Sequence, residues 1–530
     1  MTSSVHYLCK SAPKSWITVA ADPGLPATTG PGMDPAVIGD KMTPGRNRDP
    51  GPPAPDQTHS LGPTEEPVTD SGTAPGTTYD LVILGGGSGG YAAGLRAATL
   101  GLSVALVEKD KVGGTCLHRG CIPTKALLHA AEVADSAREG EQFGVRTTLE
   151  GVDMGGVNKY KDGVVDRLFK GLQGQLKARG ITVIEGEGRL TSPTTVQVGD
   201  TTYTGRNVIL ASGSYSRSLP GLELDGHRVI ASEHALTLDR VPESAVILGG
   251  GVIGVEFASA WTSFGTKVTI VEALPRLVPA EDADCSKTLE RAFRKRKIAF
   301  KTGTRFESVA LTDSGVQVTV AGGEVIEAEV LLVAVGRGPN TTGLGYEEVG
   351  VALDRGFVTV DSTLQTSVPG VYAVGDIVQG LQLAHRGFQQ GIFVAEHLAG
   401  LAPTPIDEAG IPRVTYSEPE VASVGLTEEQ AREKYGDVEI LNYNLGGNGK
   451  SQILKTAGFV KLVRARDGAV VGLHMVGSRV GELIGEAQLI YNWEAYPADV
   501  APLVHAHPTQ NEALGEAHLA LAGKPLHFHD

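Results

Sequence analysis

The sequence predicts an α/β chain made of two consecutive strand–turn–helix–strand units and a C-terminal α+β domain. Three observations predict it. Asp80-Leu-Val-Ile-Leu84 is a short apolar strand that runs into Gly85-Gly-Gly87-Ser-Gly-Gly90 and a small-residue helix from Tyr91 to Leu100. Ala245-Val-Ile-Leu248 runs into Gly249-Gly-Gly251-Val-Ile-Gly254 and a helix in the same way. After about residue 411, strands such as Phe459–Val463 and Val470–His474 precede helical stretches around Glu482–Asn492 and Glu512–Ala520.

Size and charge narrow the classes. A chain of 530 residues corresponds to roughly three or four domains. Hydrophobic residues make up 41%, enough for large cores, and the net charge of −15 argues against a nucleic-acid partner, which would need a basic face. No apolar run reaches the length of a membrane span. The chain has four cysteines, far from a disulfide scaffold; the expected setting is a reducing, cytoplasmic one, where a close cysteine pair is catalytic or metal-binding. Residues 1–77 are rich in Pro, Gly, Ser and Thr without periodicity and read as a disordered extension. A start codon placed too early, with Met33 or Met42 as later candidates, explains them equally well.

Each element has a reason. In a G-x-G-x-x-G turn the first glycine allows the tight turn, the second admits a pyrophosphate and the third lets helix pack on strand. The helix N-terminus offers free N–H groups to phosphate. Glycine-rich turns are often only turns, but here the following strands, Ser103–Glu108 and Val268–Glu272, each end in an acid. Gly85 to Glu108 and Gly249 to Glu272 both span 23 residues. Two Rossmann-like dinucleotide-binding domains follow. Glu108 and Glu272 are expected to bind ribose hydroxyls, and an acid there repels a 2′-phosphate, so the second site should take NAD rather than NADP. Arg276 is expected to be a surface charge.

Between the two units lies Gly-Gly-Thr-Cys116-Leu-His-Arg-Gly-Cys121-Ile-Pro-Thr-Lys125. Pro123 suits the first turn of a helix, so Cys121 lies near a helix N-terminus, which stabilises a thiolate. Lys125 follows one turn later. Zinc is the competing reading, but Cys9 and Cys285 are isolated and no second Cys or His pair stands at metal-ligand spacing, so no metal is expected. Near the C-terminus, His505-Ala-His507-Pro508-Thr-Gln-Asn-Glu512 offers two histidines and a carboxylate that can orient a ring. The residues themselves do not choose between the histidines. Glycine joints at Ala211-Ser-Gly213, Ala334-Val-Gly336-Arg337 and Ala373-Val-Gly375-Asp376 each follow an apolar strand.

Together, residues 79–530 resemble the flavin-dependent pyridine nucleotide–disulfide oxidoreductases, in the branch that oxidises dihydrolipoyl groups. The resemblance rests on the Cys116/Cys121 segment, the doubled dinucleotide unit, Val374-Gly375-Asp376, and His507-Pro508-Thr509 with Glu512. It implies FAD at the first site, through Gly85, Gly87, Gly90, Glu108 and Lys125, with Gly188, Gly213, Asp376 and Ala384 at further flavin-contact positions. It implies NAD at the second, through Gly249, Gly251, Gly254, Glu272, Gly336 and Arg337, with Glu256 as partner of Lys125. It also chooses His507 as the base and Glu512 as its orienting acid, leaving His505 to packing. The implied domains are 78–225 and 346–410 for FAD, 226–345 for NAD, and 411–530 for dimerisation.

The implied reaction converts dihydrolipoyl groups and NAD⁺ to lipoyl groups and NADH. Cys116 is the sulfur that meets substrate, Cys121 the one that faces flavin, and His507 of one subunit serves its partner in a homodimer. The implied partners are lipoyl domains of 2-oxoacid dehydrogenase complexes. Two positions depart from the family: His118 where Asn is common and Thr124 where Ser is common. Branches with a second, C-terminal redox group do not fit, since no cysteine follows Cys285. A mycothione-type reductase using NADPH and a non-catalytic flavoprotein are the remaining alternatives.

Overall fold

A computed structural model describes residues 78–528; the expected disordered extension, 1–77, lies outside the described residues. The first sheet has seven strands. Thr182–Glu185, Val104–Glu108, Thr78–Leu84 and Thr201–Leu210 lie side by side in parallel, and Val371–Ala373 joins the last of them in parallel from beyond the second unit. Thr195–Val198 and Gly188–Ser192 extend it antiparallel. Leu81, Val82 and Ile83 are all buried, because helices or loops cover both faces of a parallel sheet. That burial is why Asp80–Leu84 reads as an unbroken apolar run rather than an alternating one.

The second sheet repeats the plan with five parallel strands, in the order Ala299–Lys301, Lys267–Val271, Ser244–Leu248, Val330–Val333, Val229–Ile230. A three-stranded antiparallel sheet, Phe306–Leu311, Val316–Val320 and Glu324–Ala328, is inserted in the chain before its fourth strand in spatial order. The third sheet is antiparallel, in the order Arg413–Thr415, Glu420–Gly425, Val470–Gly477, Phe459–Ala465, Val438–Asn444. Helices Val480–Asn492 and Glu512–Leu521 share its core through Leu483, Ile484, Ala487, Ala513 and Leu514.

The helix expected from Tyr91 begins at Ser88, with Gly87 as its N-cap, so the glycine turn and the helix overlap. Its small residues have a use. A Cβ on Gly391 of helix Ala384–Leu398 would lie 2.3 Å from the Gly89 carbonyl oxygen, so the two helices touch backbone to backbone. The helix Cys121–Glu139 packs along Val252–Phe264; Leu127, Ala131, Phe257 and Trp261 belong to one core. The cysteine segment is thereby attached to the second unit as well as the first.

Candidate active site

The two glycine turns are built alike. Gly85 has φ 110° and Gly249 φ 106°, the left-handed side that only glycine enters without strain. A Cβ at Gly85 would lie 2.2 Å from the Ala211 carbonyl oxygen, and one at Gly249 2.3 Å from that of Ala334. The acids close each turn. Glu108 accepts from Gly86 N at 2.7 Å and Asp110 N at 2.9 Å; Glu272 accepts from Gly250 N at 2.6 Å and Leu274 N at 2.7 Å. Carboxylate oxygens have two acceptor sites each, so the same groups keep capacity for ribose hydroxyls. Burial raises the Glu108 carboxyl above the usual range, against the lowering effect of the Gly86 N–H.

Two cavities lie on these turns. The smaller, of 370 Å³, is lined by Gly85, Gly87, Glu108, Gly188 and Gly213 among others. The larger, of 1090 Å³, runs from Cys116, Cys121 and Lys125 past Asp376 and Ala384 to Gly249, Gly251, Glu256, Glu272 and Gly336. Gly87, Gly213 and Arg337 border both. Neither helix opened by these turns has a side-chain cap at its N-terminus, so backbone N–H groups are left for phosphate, and a Cβ on Gly251 would project into open space. These residues fit FAD at the first turn and NAD at the second. Gly90 and Gly254 line neither of these two cavities. A Cβ there would lie 1.8 Å from the Gly85 carbonyl oxygen or 1.9 Å from that of Gly249, so both glycines let the helix pack on its turn.

Cys116 sits in the short helix Gly114–Arg119, and Cys121 is the first residue of Cys121–Glu139. Both are half-buried free thiols. A hydrogen bond from Cys116 and the charge of Lys125 lower Cys121 to about 7 in spite of burial. The same hydrogen bond and burial raise Cys116. The pair is therefore asymmetric, with the thiolate on Cys121 and the proton on Cys116. Lys125 Nζ donates to Glu256 Oε1 and Oε2 at 3.0 and 2.9 Å and lies 4.7 Å from the centre of the Tyr416 ring. Burial opposes its charge, but Glu256 holds its pKa above the ordinary value. Tyr416 N donates to Glu256 Oε1 at 2.9 Å, which fixes the carboxylate from the third sheet.

His507 and Glu512 stand apart from the thiols within one chain. Neither lines either of the two cavities, and the His507 side chain is 78% exposed. The two do meet each other: His507 Nδ1 lies 2.7 Å from Glu512 Oε1, and Thr509 N donates to Glu512 Oε2 at 2.6 Å. Burial opposes the Glu512 charge, but Thr509 N–H and His507 lower its pKa overall. With Nδ1 engaged, Nε2 faces outward. His505 has a different setting: Nε2 lies 2.8 Å from Glu486 Oε1, the side chain is mostly buried, and Glu486 raises its pKa.

Sequence reasoning missed three groups. Ser214 Oγ donates to Asp376 Oδ2 at 2.5 Å and accepts from Arg337 Nε at 2.7 Å, which ties Arg337 to the flavin side as much as to the NAD side. Its signal was the polar run after the Ala211-Ser-Gly213 joint. Tyr416 and Arg386 had none, since their partners are remote or are backbone carbonyls. Arg386 is buried, pairs with Glu408 at 2.8 Å and donates to the carbonyls of Val378 and Gln379, pinning the loop that carries Asp376. Arg276 is not a free surface charge: it donates to the carbonyls of Pro279 and Glu281 at 3.0 and 3.1 Å. His118 Nε2 lies 2.9 Å from the Val112 carbonyl oxygen, and its ring meets Phe169 edge-on. Thr124 is buried beside the larger cavity.

Known proteins match this arrangement over most of its length. A dihydrolipoyl dehydrogenase of Bacillus subtilis is 42% identical over 472 residues, 85% of this chain and 100% of that protein. A mitochondrial dihydrolipoyl dehydrogenase of Pisum sativum is 38% identical, covering 85% of this chain and 92% of its own. Among solved structures, LpdA of Mycobacterium tuberculosis superposes with a TM-score of 0.78 at 28% identity, over 84% of this chain and 99% of that one. Residues 411–518 match the dimerisation domain of the pyridine nucleotide-disulphide oxidoreductases. Residues 79–391 match the pyridine nucleotide-disulphide oxidoreductase model itself, and the chain belongs to that family.

Proposed function

We propose that the chain catalyses the dihydrolipoyl dehydrogenase reaction, oxidising protein-bound dihydrolipoyl groups with NAD⁺. The observation that carries the reading is the single cavity joining the Cys116/Cys121 pair to the Glu272 turn. The reaction begins from the oxidised, disulfide form of the pair. His507 Nε2 takes a proton from a substrate thiol while Glu512 holds the ring and stabilises its charge. The substrate thiolate attacks Cys116 Sγ, the Cys116–Cys121 bond breaks, and Cys121 leaves as a thiolate. The second substrate thiol then attacks the substrate sulfur of the mixed disulfide. Lipoyl disulfide forms, and Cys116 leaves and takes up a proton. Bound FAD and NAD⁺ supply the two-electron relay that reoxidises the dithiol. Lys125, held by Glu256 and covered by Tyr416, stabilises negative charge at Cys121 throughout. Glu272, buried and engaged by two backbone N–H groups, excludes a 2′-phosphate and so disfavours NADPH.

His507 reaches the thiols only from a second subunit. We therefore place the protein as a homodimer joined through the C-terminal domain, where Trp493, Leu503 and Val504 are exposed apolar residues. Its electron donors are lipoyl domains of 2-oxoacid dehydrogenase complexes, and a working thiol pair supports a reducing compartment such as the cytoplasm. No helix among the described residues is long and apolar enough to cross a membrane. The test is assay of the purified yellow protein with dihydrolipoamide and NAD⁺. Cys116→Ser should lose lipoyl turnover and keep its flavin; turnover unchanged by that substitution would sink the mechanism.

A further inference from the structure

Four lysines and arginines line the larger cavity: Arg119, Lys125, Arg337 and Arg413. Three are committed. Arg119 pairs with Asp110, Lys125 with Glu256, and Arg337 with Ser214 and Ser216. Arg413 is not. Its Nε donates to Glu281 Oε1 at 3.2 Å, and both residues line the cavity. Neither of its terminal nitrogens has a protein partner among the described residues, yet neither is sealed from solvent, while the side chain as a whole is only 16% exposed. A mostly buried guanidinium with two unused amino groups on a cavity offers a fork to an anion.

Its neighbours place it beside the second glycine turn. Val278 N donates to the Gly250 carbonyl at 2.8 Å, and Glu281 N donates to that of Val278 at 2.9 Å, so Glu281 lies one turn from the residue that rests on Gly250. Three residues after Arg413, Tyr416 N is bonded to Glu256, in the first turns of helix Val252–Phe264. Chain neighbours of Arg413 and of its partner Glu281 thus touch both ends of residues 249–256, the segment that the NAD⁺ reading assigns to a pyrophosphate. Glu281 is buried and also accepts from Ser423 Oγ, so it holds the Arg413 stem in place. The glycine turn brings only the partial charge of a helix end, about half an elementary charge, against the two charges of a pyrophosphate. Glu272 and Glu281 add negative charge nearby. Of the cations lining the cavity, Arg413 is the mostly buried one with both terminal nitrogens unengaged among the described residues.

We propose that Arg413 is a dinucleotide-binding residue that grips the pyrophosphate of NAD⁺, with Glu281 as its positioning residue. The inference rests on the reading of the second turn as an NAD⁺ site. The probes are ADP-ribose, which carries the pyrophosphate without nicotinamide, and adenosine, which carries no phosphate. Both are titrated calorimetrically into the flavin-loaded protein. Arg413→Met and Arg413→Gln should weaken ADP-ribose about tenfold, the order expected for one charge-assisted contact, and leave adenosine affinity within about twofold. KM for NAD⁺ should rise in step while kcat holds. In the unsubstituted protein, ADP-ribose but not adenosine should shield Arg413 from phenylglyoxal, read by peptide mass, which needs no variant to fold. ADP-ribose affinity equal in protein and variants, equal losses for both probes, or no shielding would each overturn the role of Arg413. Failure of the unsubstituted protein to bind ADP-ribose at all would instead overturn the NAD⁺ site.

Discussion

At the scale of single residues, the asymmetry of the thiol pair is the most testable feature. A free cysteine titrates near 8.5, whereas Cys121 is brought to about 7 by Cys116 and Lys125. A depressed pKa means that the thiolate appears at lower pH, so alkylation of the reduced pair at Cys121 should rise through about pH 7. Lys125→Met removes one stabilising charge and should move that midpoint up by about a unit, the scale of one nearby opposite charge; iodoacetamide rates against pH check it. Glu272→Ala should raise KM for NAD⁺ about tenfold and reduce the preference over NADP⁺, because a buried acceptor for ribose is lost. Steady-state kinetics with both nucleotides decide it. These residues were legible because each sits inside a local motif. Ser214, Tyr416 and Arg413 were not, because their meaning comes from partners far along the chain, and Arg386 was not, because it acts largely on backbone carbonyls.

At the scale of elements, the glycines of the two turns divide into those that line a cavity and those that let a helix approach. Gly90 belongs to the second kind, with room for no Cβ against the Gly85 carbonyl. Gly90→Ala should destabilise the first unit by about 1–3 kcal/mol, the usual cost of overpacking, and release flavin on dialysis. Thermal unfolding and flavin content measure the two effects, and full stability with full flavin would contradict the packing role. The element readings held where periodicity was long, as in Val480–Asn492, expected from Glu482. Boundaries shifted where a cap chose them: Ser88, capped by Gly87, and not Tyr91, begins the first helix.

At the scale of the whole molecule, polar groups bind the second sheet to the third. Lys461 is fully buried and meets Asp282, Asp284 and Glu428 at 2.9, 2.6 and 2.8 Å. Burial opposes its charge, but these acids raise its pKa overall. Lys461→Met would leave the buried Asp282 without its cation and should cost about 3–5 kcal/mol, measured by denaturant unfolding. Subunit association is the second whole-molecule property. Val504 is 98% exposed three residues before His507. Val504→Asp should shift the protein towards monomer in sedimentation and lower lipoyl turnover, while leaving the pH profile of Cys121 alkylation in place. A fully active monomer would count against base and thiols coming from different subunits.

Family resemblance, not spacing, singled out His507 and Glu512; the sequence by itself determined the parts that are local in the chain: two glycine turns with their acids, and a thiol pair at a helix start. Backbone geometry and short spacing are enough to specify these. Only the tertiary structure decided which parts face one another. It set Glu256 on Lys125 across 131 residues, brought Val371–Ala373 back into the first sheet, and kept His507 away from the thiols of its own chain. Those relations depend on how sheets and helices bury their apolar faces against one another, and no single segment carries that information.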